Sequence, residues 1–344
     1  MRVLSRIDLR SHAGDVREAL PRPATPHDGP VDAVHDILED VRRRGDVALR
    51  DLTARFDGVD LATCRVDRAE IDTALDSVES SLRTALETAA AAIEAYHRQQ
   101  VPADVVVDTD GLSVRGMHRP VDRAGCYVPG GRALYPSTVL MTAVPARVAG
   151  VDEVVLCVPP GLDGRVPTAT LAAAAIAGVD EVFAVGGAQA IGALAYGTET
   201  VRPVDVIVGP GNVYVAIAKQ LVAGTVGVPS SFAGPSEVVV IADGSSPAAY
   251  AAVDVILQAE HGPDGLAWLV TWDTAVADEV TAEVERLVAE APRGVDIEST
   301  LRRSGPAVGC ASPEPAVAVG NGLAPGHLGL AGAARGALVR RGGG

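Results

Sequence analysis

Ala149-Gly-Val-Asp-Glu-Val-Val-Leu-Cys-Val158 is echoed by Ala177-Gly-Val-Asp-Glu-Val-Phe-Ala-Val185. The spacing is that of one βαβ unit. In each copy a glycine (Gly150, Gly178) stands where a helix should end, and a β-branched run follows as a strand. Between them, Thr168 to Ala177 is short, Ala-rich and apolar, as expected of a crossover helix buried against a parallel sheet. Further strands are predicted at Val204–Val208, at Val238–Ala242 and at Cys126–Val128, which leads into the set. The fold class that follows is α/β with parallel sheets.

Each strand runs into glycine or proline: Tyr127-Val-Pro-Gly-Gly131, Val158-Pro-Pro-Gly161, Val185-Gly-Gly-Ala-Gln189 and Val208-Gly-Pro-Gly-Asn212. In a parallel sheet these turns share the carboxyl edge, where backbone approaches ligands and helix N-termini point at them. One such turn needs only tight-turn chemistry to explain it. Several on one edge point to a ligand crevice. The strict GxGxxG spacing is absent, so the turns support a nucleotide-like ligand only weakly. Gln189 and Asn212 could bond ribose or phosphate, or cap the next helix.

Upstream the pattern is helical. Val31–Phe56 carries apolar residues at helical spacing with a break at Gly45, and Ala69–Gln99 reads as one long Ala-, Glu- and Arg-rich helix. Downstream, Ser246 and Pro247 are expected to open a helix that Gly262 and Pro263 stop. Gln258 and His261 share its last turn, and Asp254 lies one turn earlier. Partial negative charge at a helix C-terminus favours a cation, so a metal is compatible with this face; so is simple capping of the last carbonyls by His261. His327, in an uncharged stretch after Pro325, suits a general base, a metal neighbour or a buried hydrogen-bonded ring. His12, His27, His35, His97 and His118 lie in charged or loop-like surroundings and read as solvated.

Composition narrows the function. The chain has 344 residues, 48% of them hydrophobic and 3% aromatic, which suits a tightly packed α/β protein. With Lys+Arg 29 and Asp+Glu 44 the net charge is −15. Nucleic acid and anionic membrane surfaces are therefore poor partners. The longest uncharged run, Pro315–Ala334, is broken by Pro325 and glycines, so no membrane span is expected. The start, MRVLSRIDLRSH, carries no secretory signal, and the scattered Cys64, Cys126, Cys157 and Cys310 read as reduced thiols. A cytoplasmic location is the expectation.

Five long motifs in order carry a resemblance: GCYVPGGRALYPSTVLMTAVPARVAGV (125–151), VGGAQAIGALAYGT (185–198), VGPGNVYVAIAKQLVAG (208–224), FAGPSEVVVIAD (232–243) and QAEHGPDGLAWLVT (258–271). The chain closely resembles the histidinol dehydrogenase family, from its N-terminal helices to about Leu328. The resemblance implies an oxidoreductase of histidine biosynthesis that takes L-histidinol through histidinal to L-histidine with two NAD. It also implies zinc, a homodimer and two incomplete Rossmann-like domains. On these boundaries, 1–24 is an N-terminal arm; 25–118 and 237–344 form a first, discontinuous domain, incomplete at its C-terminus; and 119–236 forms the second, on the NAD side. NAD contacts fall on Tyr127, Gln189 and Asn212. Substrate contacts fall on Ser236, Gln258, His261 and His327, zinc ligands on Gln258 and His261, and the catalytic histidine on His327. Asp254 has no role in the family.

Two departures accompany the resemblance. The family motif Ala-Pro-Glu-His-Leu reads Ala324-Pro-Gly-His-Leu328 here, so Gly326 replaces the catalytic glutamate. The family also continues beyond Leu338-Val-Arg-Arg-Gly-Gly-Gly344 with an aspartate and a histidine that complete its zinc site. The expectation is a C-terminally truncated member with an exposed sheet edge. The alternative is an inactive or repurposed NAD-binding relative.

Overall fold

The computed structural model describes residues 3–12, 14–20, 29–130, 134–230, 237–260, 265–333 and 335–338. The chain divides into two compact units, one built from Met1–Thr25 with Gly234–Gly344 and the other from Pro26–Ala233. Strand β1 (Ser5–Asp8) and the one-turn helix α1 (Val16–Ala19) belong to the first unit.

The Pro26–Ala233 unit opens with α2 (Val31–Arg44) and α3 (Asp46–Asp57), separated at Gly45 as the spacing predicts. Next come α4 (Arg68–Ser77) and α5 (Ser80–Arg98). The long helix expected over Ala69–Gln99 is thus two helices. Val78 and Glu79 are extended (ψ 156° and 143°), and Ser77 turns its hydroxyl back to the Thr73 carbonyl at 2.8 Å. The break lets each half find its own partner, α4 on one helix of the sheet layer and α5 on another. A hairpin follows, β2 (Val105–Thr109) and β3 (Leu112–Gly116), antiparallel around Asp110-Gly111.

The core of this unit alternates strand and helix: β4 (Arg123–Tyr127), α6 (Pro136–Ala149), β5 (Glu153–Val158), α7 (Thr168–Ile176), β6 (Glu181–Ala184), α8 (Gly187–Tyr196), β7 (Val206–Val208) and α9 (Val213–Val222). The strands form a parallel sheet in the order β6-β5-β4-β7. Both faces are covered. Val155, Cys157 and Phe183 pack toward α2, α3, α8 and α9. Val154, Leu156 and Val182 pack toward α4, α6 and α7. That double burial is why the strands read as unbroken apolar runs. The helices of 31–98 pack in the same unit as this sheet, and the apolar stripe Val34, Ile37, Leu38, Val41 is buried in its core.

Arg123 opens β4 at the amino edge of this sheet and is buried. Its guanidinium bonds Glu153 and Glu181, which open β5 and β6. Arg65 adds a bond to Glu181 at 2.7 Å. Glu181 and Glu153 keep Arg65 and Arg202 as partners, so loss of the buried guanidinium removes charged hydrogen bonds rather than stranding two charges. Arg123→Ala is expected to lose about 2 kcal/mol in urea unfolding. A loss under about 0.5 kcal/mol, the range of ordinary surface changes, would show the cluster to be dispensable.

The other unit resumes with β8 (Glu237–Ala242), α10 (Ala248–Ala259), β9 (Leu266–Thr271), α11 (Thr274–Glu290), α12 (Gly294–Ser304), β10 (Pro306–Gly309), α13 (Pro313–Leu323), β11 (His327–Ala331) and α14 (Arg335–Leu338). Its five-stranded parallel sheet runs β1-β10-β9-β8-β11. Leaving β1 aside, the strand order matches that of the other unit: three strands wind one way, and the fourth returns beside the first. Val238, Val240 and Leu269 pack on α10, α11 and α12, and Val239, Ile241 and Trp268 on α13. Helix α10 begins at Ala248 with Pro247 at its N-cap, one residue later than expected, and ends at Ala259.

Candidate functional site

In an open α/β sheet the crevice lies outside the carboxyl ends of the strands, where the winding reverses. In the Pro26–Ala233 unit that point falls between β4 and β7. A cavity of about 650 Å³ opens there, lined among others by Tyr127, Pro159, Gly187, Gln189, Asn212 and Tyr214. The three expected cofactor residues, from three different turns, therefore share one wall system.

Each is placed by local physics. Tyr127 ends β4, is buried, and accepts a hydrogen bond from the Gly187 amide at 3.1 Å. Burial pushes its phenol up to about 12, so it stays protonated at neutral pH and can donate into the cavity. Gln189 sits in the first turn of α8, 1% exposed, and its Oε1 has no hydrogen-bond partner. A side chain at Gly187 would put its Cβ 2.6 Å from that oxygen. Asn212 is the N-cap of α9, its Oδ1 accepting from the Val215 amide at 3.2 Å. Capping and ligand contact are thus compatible, because Oδ1 caps while the side-chain amide nitrogen is a separate donor. The N-termini of α8 and α9 both open on this cavity, giving it the partial positive charge that suits an anion.

The turn after β7 is the tightest point. Gly209 has φ 110°, and a Cβ there would lie 2.0 Å from the Tyr127 carbonyl oxygen. Its own carbonyl accepts a bond from the ammonium of Lys219, which also reaches the Ser230 carbonyl at 3.3 Å. Lys219 is buried, and burial lowers its proton affinity. No motif singles out Lys219; its place inside the apolar run Val215–Val222 is the one signal the sequence carries.

The described members of the second set, Gln258 and His327, lie in the other unit, at the amino edge of its sheet. Gln258 is buried, one residue from the end of α10. His327 is the first residue of β11, paired with Val238 of β8, and is exposed rather than enclosed. Glu237 begins β8, and burial raises its proton affinity. The C-termini of α10 and α13 fall at this edge, so helix dipoles and a carboxyl give it negative character. The approach to His327 is strained: Ala324, with φ 47°, is the one non-glycine residue at positive φ among the described residues. Asp254 is exposed on α10 and faces Gly329 of β11. Ser236 and His261 lie outside the described residues.

Zinc was expected on Gln258 and His261. Among the described residues no group of three or more His, Cys, Asp or Glu side chains could hold a metal ion. A zinc site takes three or four donors. The described donors do not make one up.

Two units with one strand order, glycine turns at a winding reversal and paired helix N-termini define an α/β protein of the doubly wound, Rossmann-like class. The family model for histidinol dehydrogenase matches residues 20–341, and the chain belongs to that family. Histidinol dehydrogenase of Synechococcus sp. is 50% identical over 301 residues, covering 87% of this chain and 69% of that protein. The enzyme of Methanothermobacter thermautotrophicus is 48% identical over 296 residues, covering 86% and 69%. The crystal structure of histidinol dehydrogenase from Elizabethkingia anophelis superposes with a TM-score of 0.93 at 33% identity, covering 100% of this chain and 79% of that one. None of the described helices is long and apolar enough to cross a membrane.

Proposed function

We propose that the chain is an NAD-dependent oxidoreductase acting on L-histidinol, with histidinal as intermediate and L-histidine as product. Family membership supports the reaction. The observation that carries the cofactor is the cavity at the carboxyl edge of the four-stranded sheet, with the enclosed, unpartnered Oε1 of Gln189 on its wall. The residues fit a dinucleotide: Tyr127 and Asn212 offer donors, Gln189 an acceptor, and the N-termini of α8 and α9 a place for phosphates. NAD supplies the hydride acceptor when bound.

The chain's own residues do the rest. L-histidinol carries a cationic amine, and the amino edge of the five-stranded sheet, with its helix C-termini and Glu237, has the complementary sign. Gln258, His261 and Ser236 are proposed substrate contacts there, Gln258 and His261 doubling as zinc donors by family likeness. His327 is proposed to take the hydroxyl proton as hydride leaves. A homodimer and a cytoplasmic location complete the reading on the same likeness.

A second reading rests on Gly326. A glycine has no group to activate water, so the aldehyde step is expected to lag behind the alcohol step, or the chain to act only as an NAD-binding relative. NADH formation, followed separately from L-histidinol and from L-histidinal with zinc supplied, decides between them. His327→Ala is expected to lower the alcohol step by about 10²–10⁴. An unaffected rate would remove His327 from the chemistry, and no NADH from either substrate would leave only the NAD-binding reading.

A further inference from the structure

Asp57 closes α3, with Gly58 behind it in the left-handed conformation. Three things are unfavourable about a carboxylate there. It stands at the negative end of a helix, where a cation is preferred. It is half-buried, and burial raises its proton affinity. Its Oδ2 is enclosed and has no hydrogen-bond partner. A buried acceptor left bare is costly, and such atoms call for an explanation.

The cavity supplies one. Asp57 lines it together with Tyr127, Gln189 and Tyr214. Its charge is near enough to the Tyr127 phenol to help raise it. Gln189 Oε1 is the second enclosed, unpartnered acceptor on the same walls. Two bare acceptors in one cavity match a ligand with hydroxyl donors, and a ribose diol is such a group. Among the described residues, no Lys, Arg or His lines the cavity, and Asp57 is its one formal charge. A phosphate added to the ribose would meet a carboxylate with no counter-charge beside it among the described residues.

We propose that Asp57 is a specificity-determining residue: it accepts a ribose hydroxyl of the bound dinucleotide and rejects a dinucleotide phosphorylated at that position. The assignment deepens the NAD reading and rests on it. The test is calorimetric titration of the full chain with NAD and with NADP, repeated on Asp57→Asn and Asp57→Ser. The unmodified chain is expected to bind NAD at least about tenfold tighter than NADP, the scale of one good polar contact. Either variant should narrow that ratio about tenfold, mainly by improving NADP. NAD binding with an unchanged ratio in both variants, or no preference in the unmodified chain, overturns the role of Asp57 and leaves the cavity reading intact. No NAD binding in the unmodified chain overturns both.

Discussion

Gly209→Ala is expected to cost about 3 kcal/mol of stability in the Pro26–Ala233 unit, and to weaken NAD binding at least tenfold. Two penalties add. An L-residue at φ 110° is strained, and its Cβ would lie 2.0 Å from the Tyr127 carbonyl oxygen, a backbone atom that cannot swing aside. The strands must part at the point where β4 and β7 pair, moving Tyr127, the carbonyl held by Lys219 and the Asn212 cap together. Gly224→Ala is the control, because a Cβ there meets nothing within 4 Å. Urea unfolding and NAD titration of both variants check the expectation. Equal behaviour of the two would mean that the close approach at Gly209 does not shape the cavity.

Gly326→Glu is expected to raise the rate of NADH formation from L-histidinal by about 10²-fold or more, while changing the alcohol step little. The position can take the side chain. Gly326 is exposed, is not among the positive-φ glycines, and its nearest neighbour to a new Cβ is the Glu237 carbonyl oxygen at 3.8 Å. The new carboxylate would supply, one residue before His327, the general base that water activation needs. Gly326→Gln has the same shape without the charge and should give no gain. Equal rates for the Glu and Gln variants would show that the glycine is not what limits the aldehyde step.

The repeat at Ala149 and Ala177 made the four-stranded sheet legible, because its strands are buried on both faces and its helices end on glycines. Gly150 indeed has φ 90° at the C-cap of α6. The glycine turns were legible as a group at one edge, which is where the cavity lies. What escaped was set by distant partners. Strand β1 pairs with Pro306–Gly309, nearly the whole chain away, and neither segment has a strand signature of its own. His327-Leu-Gly-Leu-Ala331 contains no β-branched residue and becomes a strand by lying along β8. The hairpin around Asp110-Gly111 did carry a local signal, a turn dipeptide between valine-rich runs, and was overlooked. At the site, residue types were readable but loneliness was not. That Gln189 and Asp57 each hold an unpartnered oxygen, and that Lys219 is buried under the Gly209 turn, depends on packing that no spacing reveals. One clue to Asp57 existed: an acidic residue just before Gly58, where the helix dipole favours a base.

A crystal structure of the chain grown with NAD is the decisive measurement. The dinucleotide is expected at the carboxyl edge of β4 and β7, its phosphates toward the N-termini of α8 and α9, in contact with Tyr127, Gln189 and Asn212. A dinucleotide bound anywhere else, or that cavity left empty at saturating NAD, would contradict it.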